Sequence, residues 1–162
     1  MNPKETNLKL INTNLRRYTF ESPKIKNWVE SVCGGKVLNL FAGKTFLNLD
    51  EFRVDIDTSA FAHIHIDAYS YISNCDKRYD TVILDPPYAY RKAMEMYCGN
   101  YTSKFKLIAD EIKRLQIPKV VSFGYHSTFM GKVRGYTLSE LCVFAHGGAQ
   151  HCTIGIVELK EV

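Results

Sequence analysis

Thr81-Val82-Ile83-Leu84-Asp85-Pro86-Pro87-Tyr88 runs from a short apolar stretch straight into an acidic turn stiffened by two prolines. Entered from the polar residues Asp76 to Asp80, Thr81 to Leu84 reads as a buried strand. Open α/β sheets bind ligands beyond the carboxyl ends of their strands, so this turn stands where chemistry is expected.

Working outward, Lys36 to Phe41 reads as a strand leading into Ala42-Gly43-Lys44-Thr45. Arg53 to Asp57, His63 to Ile66, Lys119 to Phe123, Leu141 to Ala145 and Thr153 to Leu159 bring the predicted strands to seven. Ser22-Pro23 is a helix start, and Ile25, Trp28, Val29 and Val32 follow at helical spacing up to Gly34-Gly35. Phe105, Ile108, Ile112 and Leu115 mark a second amphipathic helix. Strands alternating with helices predict a mostly parallel sheet. The last two strands, joined across Gly147-Gly148, predict an antiparallel end.

Two crossovers are short. Parallel neighbours ordinarily need a dozen or more connecting residues, and neither Thr45 to Phe52 nor Asp57 to His63 supplies them. The expectation is a sheet whose helices are thinned on one face. The helix Pro23 to Val32, or another subunit, then has to cover that face.

The 162 residues predict a single domain, 1–162, with 1–35 as an N-terminal helical segment over the sheet and no room for a separate target-recognition domain. No apolar run is long enough to span a bilayer, and Met1 to Leu10 lacks an apolar signal core. Five cysteines without a Cys-x-x-Cys pair suit a reducing compartment. The expected location is cytoplasmic. The net charge of +4 is compatible with a polyanionic partner.

An amino group on an aromatic ring is a poor nucleophile because its lone pair is delocalised. A carboxylate and a carbonyl that accept its two N–H bonds favour a pyramidal nitrogen with a localised pair. Asp85 can supply the carboxylate and Pro86 the carbonyl, with Pro87 stiffening the loop and Tyr88 stacking on an extruded base. The plainer alternative is an ordinary turn after a strand.

Other motifs carry less. Gly43-Lys44-Thr45 is not a P-loop end, since Leu38 stands where its first glycine belongs. Cys142, His146, His151 and Cys152 match no familiar zinc spacing, and no metal is expected. Tyr125, His126, His146 and Gln150 fall in loops at the sheet's ligand edge and are candidates for substrate contact. Arg91, among Tyr90, Lys92 and Tyr97, is the candidate phosphate contact. Solvated loop or helix-face residues are the alternative for both sets.

From Ser22 through Val162 the chain resembles the class I S-adenosylmethionine-dependent methyltransferases of the amino-methylating group, which includes adenine-specific DNA methyltransferases and related RNA enzymes. Asp85-Pro86-Pro87-Tyr88 resembles their catalytic motif, and Val37 to Gly43 their motif I. Lys44-Thr45 stands where the family usually carries a further glycine. The resemblance implies a Rossmann-like, seven-stranded α/β fold with S-adenosylmethionine as cofactor. It assigns the methionine part to Asn39, Phe41, Ala42 and Gly43, the ribose to Asp55 with Asp57 second, and the adenine to Asp67 and Ala68. The implied reaction is methylation of an exocyclic amino group, foremost N6 of adenine in DNA. RNA, guanine or cytosine amino groups, or a non-catalytic subunit that presents nucleic acid, remain the alternatives. The implied partners are nucleic acid and a second copy or a partner subunit that supplies target recognition.

Overall fold

The computed structural model describes residues 5–86, 104–124 and 128–162. Its strands are β1 (Asn7–Asn12), β2 (Val37–Asn39), β3 (Glu51–Arg53), β4 (Thr81–Leu84), β5 (Lys119–Gly124), β6 (Tyr136–Ala145) and β7 (Thr153–Lys160). Helices α1 (Pro23–Val32), α2 (Ala68–Ser73) and α3 (Lys104–Leu115) flank them. The strands form one sheet in the order β1-β6-β7-β5-β4-β2-β3, with β7 antiparallel to both neighbours and every other pair parallel. Among the described residues no helix is long and apolar enough to cross a membrane.

Each face has its own core. On one, α2 and α3 bring Ile72, Ile108 and Ile112 over Leu38, Leu40, Val82, Leu84 and Val120. On the other, α1 lays Ile25, Trp28 and Val29 on Val37, Ile83, Val121, Phe123, Cys142, Phe144 and Val157. The Ser22 hydroxyl accepts the Ile25 N–H and caps α1. The Trp28 ring meets Phe123 and Phe144 edge-on at 5.7 and 5.5 Å. This second face is the thinned one: among the described residues neither β2 nor β3 is followed by a helix there, and α1 with Leu47 and Leu49 takes its place.

The structure corrects several sequence-based limits. His63 to Ile66 is not a strand; one bridge, Val54 to Ile64, is all that forms. The few residues between Asp57 and His63 are spent on a tight turn in which Asp57 accepts the Ser59 and Ala60 N–H groups, leaving too little chain for a paired crossover. β2 and β3 are shorter than expected, and β3 begins at Glu51 and ends at Arg53, ahead of Asp55. β6 starts earlier, at Tyr136, and passes a bulge near Leu138 and Glu140. The segment 1–35 is not a helical cover throughout. Asn7–Asn12 instead adds strand β1 to the sheet edge, because its alternation puts Ile11 on the α1 core and leaves Leu8 and Leu10 outside.

Candidate active site

Two neighbouring strands deliver the site. β2 and β4 are hydrogen-bonded partners, and Asn39 pairs in register with Ile83. Their carboxyl ends therefore open side by side, one into the Gly43 turn and the other into Asp85-Pro86. Asp85 is half-buried and Pro86 is buried. Pro87, Tyr88 and Arg91, like Tyr125 and His126, lie outside the described residues.

The turn after β2 is held from below. Gly43 sits at φ +63°, and among the described residues nothing lies within 4 Å of where a Cβ would be, so the turn is open at that point. Its N–H donates to the Asp55 carboxylate at 2.8 Å, and Ala42 donates to the Val54 carbonyl at 3.0 Å. Lys44 and Thr45 are not among the positive-φ residues, so the backbone there does not require the family's further glycine.

A loop that replaces a crossover helix leaves carbonyls without helical partners, and buried ones need donors. Arg53, 1% exposed, supplies them. Its guanidinium donates to the carbonyls of Ala42 (2.9 Å), Gly43 (3.0 Å), Thr45 (2.9 Å) and Phe61 (2.6 Å), and pairs with Glu51. Glu51 in turn accepts from the Leu47 N–H and from the Asn39 amide, each at 3.2 Å. Only arginine carries enough donors in one rigid fork to do this. Sequence reasoning passed over Arg53; the signal available was an arginine in a strand between two crossovers too short for helices.

The sequence-predicted cofactor residues fall around this turn in two roles. Asn39 is fully buried, and its Oδ1 finds no donor among the described residues. Ala42 is buried and Phe41 half-buried against the α3-side core. Asp55 spends one carboxylate oxygen on Gly43 and the other on the Asp57 N–H at 2.9 Å, with lone pairs left on both. Asp57 is exposed; the Ser59 backbone N–H, helped by the Ser59 hydroxyl, Lys44 and His65, holds its carboxyl below the usual range. The Ile66 N–H bonds to the Asp55 carbonyl at 3.2 Å, which brings Asp67 to the same edge. Asp67 caps α2 through the Ser70 N–H (3.1 Å) and meets Lys104 at 3.5 Å, while Ala68 is buried.

The other candidates are farther along the same edge. His146 follows β6, and both ring nitrogens are engaged, Nδ1 with the Thr13 carbonyl at 3.2 Å and Nε2 with the Thr153 hydroxyl at 2.8 Å. A carbonyl only accepts, so Nδ1 carries the proton and Nε2 accepts from Thr153 in the neutral ring. Gln150 is exposed in the β6–β7 loop. Glu158 was also missed: fully buried in β7, it accepts the N–H groups of Phe129, Met130 and Gly131 at 2.8 to 3.0 Å. It thereby fastens the segment that follows the predicted substrate loop. Among the described residues no group of three His, Cys, Asp or Glu could hold a metal. A cleft of about 490 Å³ lined by Lys36, Phe52, His63, Lys77 and Arg78 opens at the amino ends of the strands, away from Asp85.

No protein-family model matches this chain, and no curated protein does. Solved structures do resemble it. A protein of Streptococcus pyogenes described only as conserved hypothetical is 18% identical, with TM-score 0.52 over 85% of this chain and 94% of its own. YhhF from Escherichia coli, assigned as a methyltransferase, is 12% identical, with TM-score 0.55 and 86% of each chain covered. TrmN from Thermus thermophilus is 15% identical, with TM-score 0.57 over 86% of this chain and 49% of that one. These likenesses, with the strand order above, establish a Rossmann-like methyltransferase fold.

Proposed function

We propose that this protein transfers a methyl group from S-adenosylmethionine to an exocyclic amino nitrogen of nucleic acid, N6 of adenine in DNA foremost. The observation that carries the reading is the placement of Asp85-Pro86 at the end of β4, beside the open Gly43 turn at the end of β2. The residues fit the cofactor: among the described residues nothing crowds the position a Cβ would take at Gly43, and Asp55 and Asp67 stand beside the turn with acceptor capacity for hydroxyl and amino donors.

Bound S-adenosylmethionine supplies an electrophilic methyl group. The chain's own residues do the rest. Gly43 and Ala42 form the floor, Asp55 and Asp57 accept the ribose hydroxyls, and Asp67 accepts from the cofactor's adenine amine. Asp85 and the Pro86 carbonyl would accept the two N–H bonds of the target amine and so localise its lone pair towards the methyl donor. Asp85, or water beside it, would take the proton that the amine loses on methylation. Cysteines without a Cys-x-x-Cys pair support a reducing, cytoplasmic setting. A second copy or a partner subunit supplies target selectivity.

Calorimetric titration of S-adenosylmethionine tests the cofactor half. Micromolar binding by the wild type that weakens at least tenfold in Asp67→Ala is expected. No binding by the wild type would turn the reading towards a non-catalytic subunit.

A further inference from the structure

β1 runs parallel to β6, which runs in the same direction as β5, β4 and β2. Its carboxyl end therefore opens on the same edge as Asp85. The exit of the chain there is fixed: Thr13 donates to the Ala145 carbonyl at 3.0 Å, and His146 bonds the Thr13 carbonyl. Lys24 reaches back from α1 to the Asn12 carbonyl at 2.6 Å. Residues 14–18, Asn-Leu-Arg-Arg-Tyr, then cross this rim, all of them exposed.

Their chemistry is specific. Neither Arg16 nor Arg17 has a carboxylate partner among the described residues. The Arg17 guanidinium lies 5.3 Å from the Tyr18 ring centroid, and Tyr18 is 48% exposed. The acid at hand is Glu21, whose carboxylate accepts the Tyr18 N–H at 3.4 Å, so cations exceed anions on this rim. In the sheet order the rim lies four strand spacings from Asp85, on the side away from the Gly43 turn; at about 4.8 Å per spacing that is about 19 Å. Adjacent cations beside an exposed aromatic ring, at a few nucleotides' reach from the reacting loop, match a phosphate backbone with unpaired bases.

We propose that residues 14–18 with Lys24 form a nucleic-acid-binding rim, on which single-stranded substrate lies while its target base enters the Asp85 loop. This rests on the methyltransferase reading above for the role of the loop, and it assigns to the added strand β1 the job of presenting the rim.

The test is fluorescence anisotropy with a labelled 20-nucleotide single strand, made once as DNA and once as RNA, over a salt series. The double variant Arg16→Ala/Arg17→Ala should bind at least tenfold more weakly at low salt. Its log–log salt slope should fall by about 1.4, two phosphates at about 0.7 each. Arg16→Lys/Arg17→Lys should keep the slope, and Tyr18→Ala should lose affinity with the slope unchanged. An unaltered slope and affinity in the alanine pair, or a wild type that binds neither strand at low salt, would overturn the proposal. Titration of S-adenosylmethionine alone does not involve the rim. A protein that binds the strand through Arg16 and Arg17 but never the cofactor would therefore sink the methyltransferase reading and leave the rim standing.

Discussion

At the scale of the residue, Arg53 is the side chain on which the Gly43 turn depends. Removing it strands Glu51 in the interior, takes the guanidinium donor from the Ala42, Thr45 and Phe61 carbonyls, and leaves the Gly43 carbonyl with the Phe61 N–H alone. Breaking a buried pair in this way costs about 3–5 kcal/mol. Urea unfolding of Arg53→Met should show a loss of that size, and a loss under about 1 kcal/mol would mean that the fork is decorative. The cysteines divide just as sharply. Burial pushes the Cys33 thiol up to about 12 and the Cys142 thiol up to about 11, whereas Cys152 is exposed. The thiolate is the reactive form, so iodoacetamide at pH 8 should label Cys152 well before Cys33 or Cys142. Peptide mass mapping reads the order, and early labelling of Cys142 would contradict the packing of β6.

At the scale of the element, α1 and β1 are held by a small number of contacts that sequence periodicity does not encode. Gly155 of β7 faces the Trp28 ring so closely that a Cβ would lie 2.6 Å from it. Gly155→Ala should therefore cost about 1–3 kcal/mol by overpacking, with the near-ultraviolet signal of Trp28 altered; an unchanged melting temperature would contradict this. Glu140 of β6 ties three elements together, accepting from the Trp28 indole at 2.7 Å, from Asn7 at 3.4 Å, and pairing with Lys9 at 2.9 Å. Burial alone would raise its carboxyl, but the Trp28, Lys9 and Asn7 contacts outweigh that and bring it below 4.5. A depressed carboxyl stabilises above its unfolded value and loses that contribution as pH falls through the folded one. The stability advantage of wild type over Glu140→Gln should hold at neutral pH and fade below about pH 4; an advantage independent of pH would exclude the charge as its source. The helix at Pro23 was legible because Ser22, Pro23 and the 3.6-residue repeat all agree. Strand β1 was not, since its outer leucines stay in solvent and its partner β6 lies more than a hundred residues away.

At the scale of the whole molecule, the legible part was the part written locally. β4, the Gly43 turn and the antiparallel close are short-range patterns and were legible; the count of seven strands came out right only because the unforeseen β1 stands in for the expected strand at His63 to Ile66. The thinned face was also legible, because chain length between strands bounds what can cross. What escaped the sequence is what holds the connecting segments: Arg53 under the Gly43 turn, and Glu158 under Phe129 to Gly131. Both are buried charged residues in strands, Arg53 at the end of β3 and Glu158 within β7, and their purpose shows only once the sheet brings distant carbonyls and amides over them. The sheet puts the Gly43 turn after β2, Asp85-Pro86 after β4 and Arg16-Arg17 after β1 on one edge, the three places to which we assign cofactor, target amine and nucleic-acid strand. The most direct test of this arrangement is to incubate protein, S-adenosylmethionine and adenine-containing single-stranded DNA, digest to nucleosides, and analyse them by mass spectrometry. The account predicts N6-methyladenine with the wild type and none with Asp85→Ala, although that variant still binds the cofactor. Methyl groups on a ring carbon, or equal N6 methylation by Asp85→Ala, would contradict it.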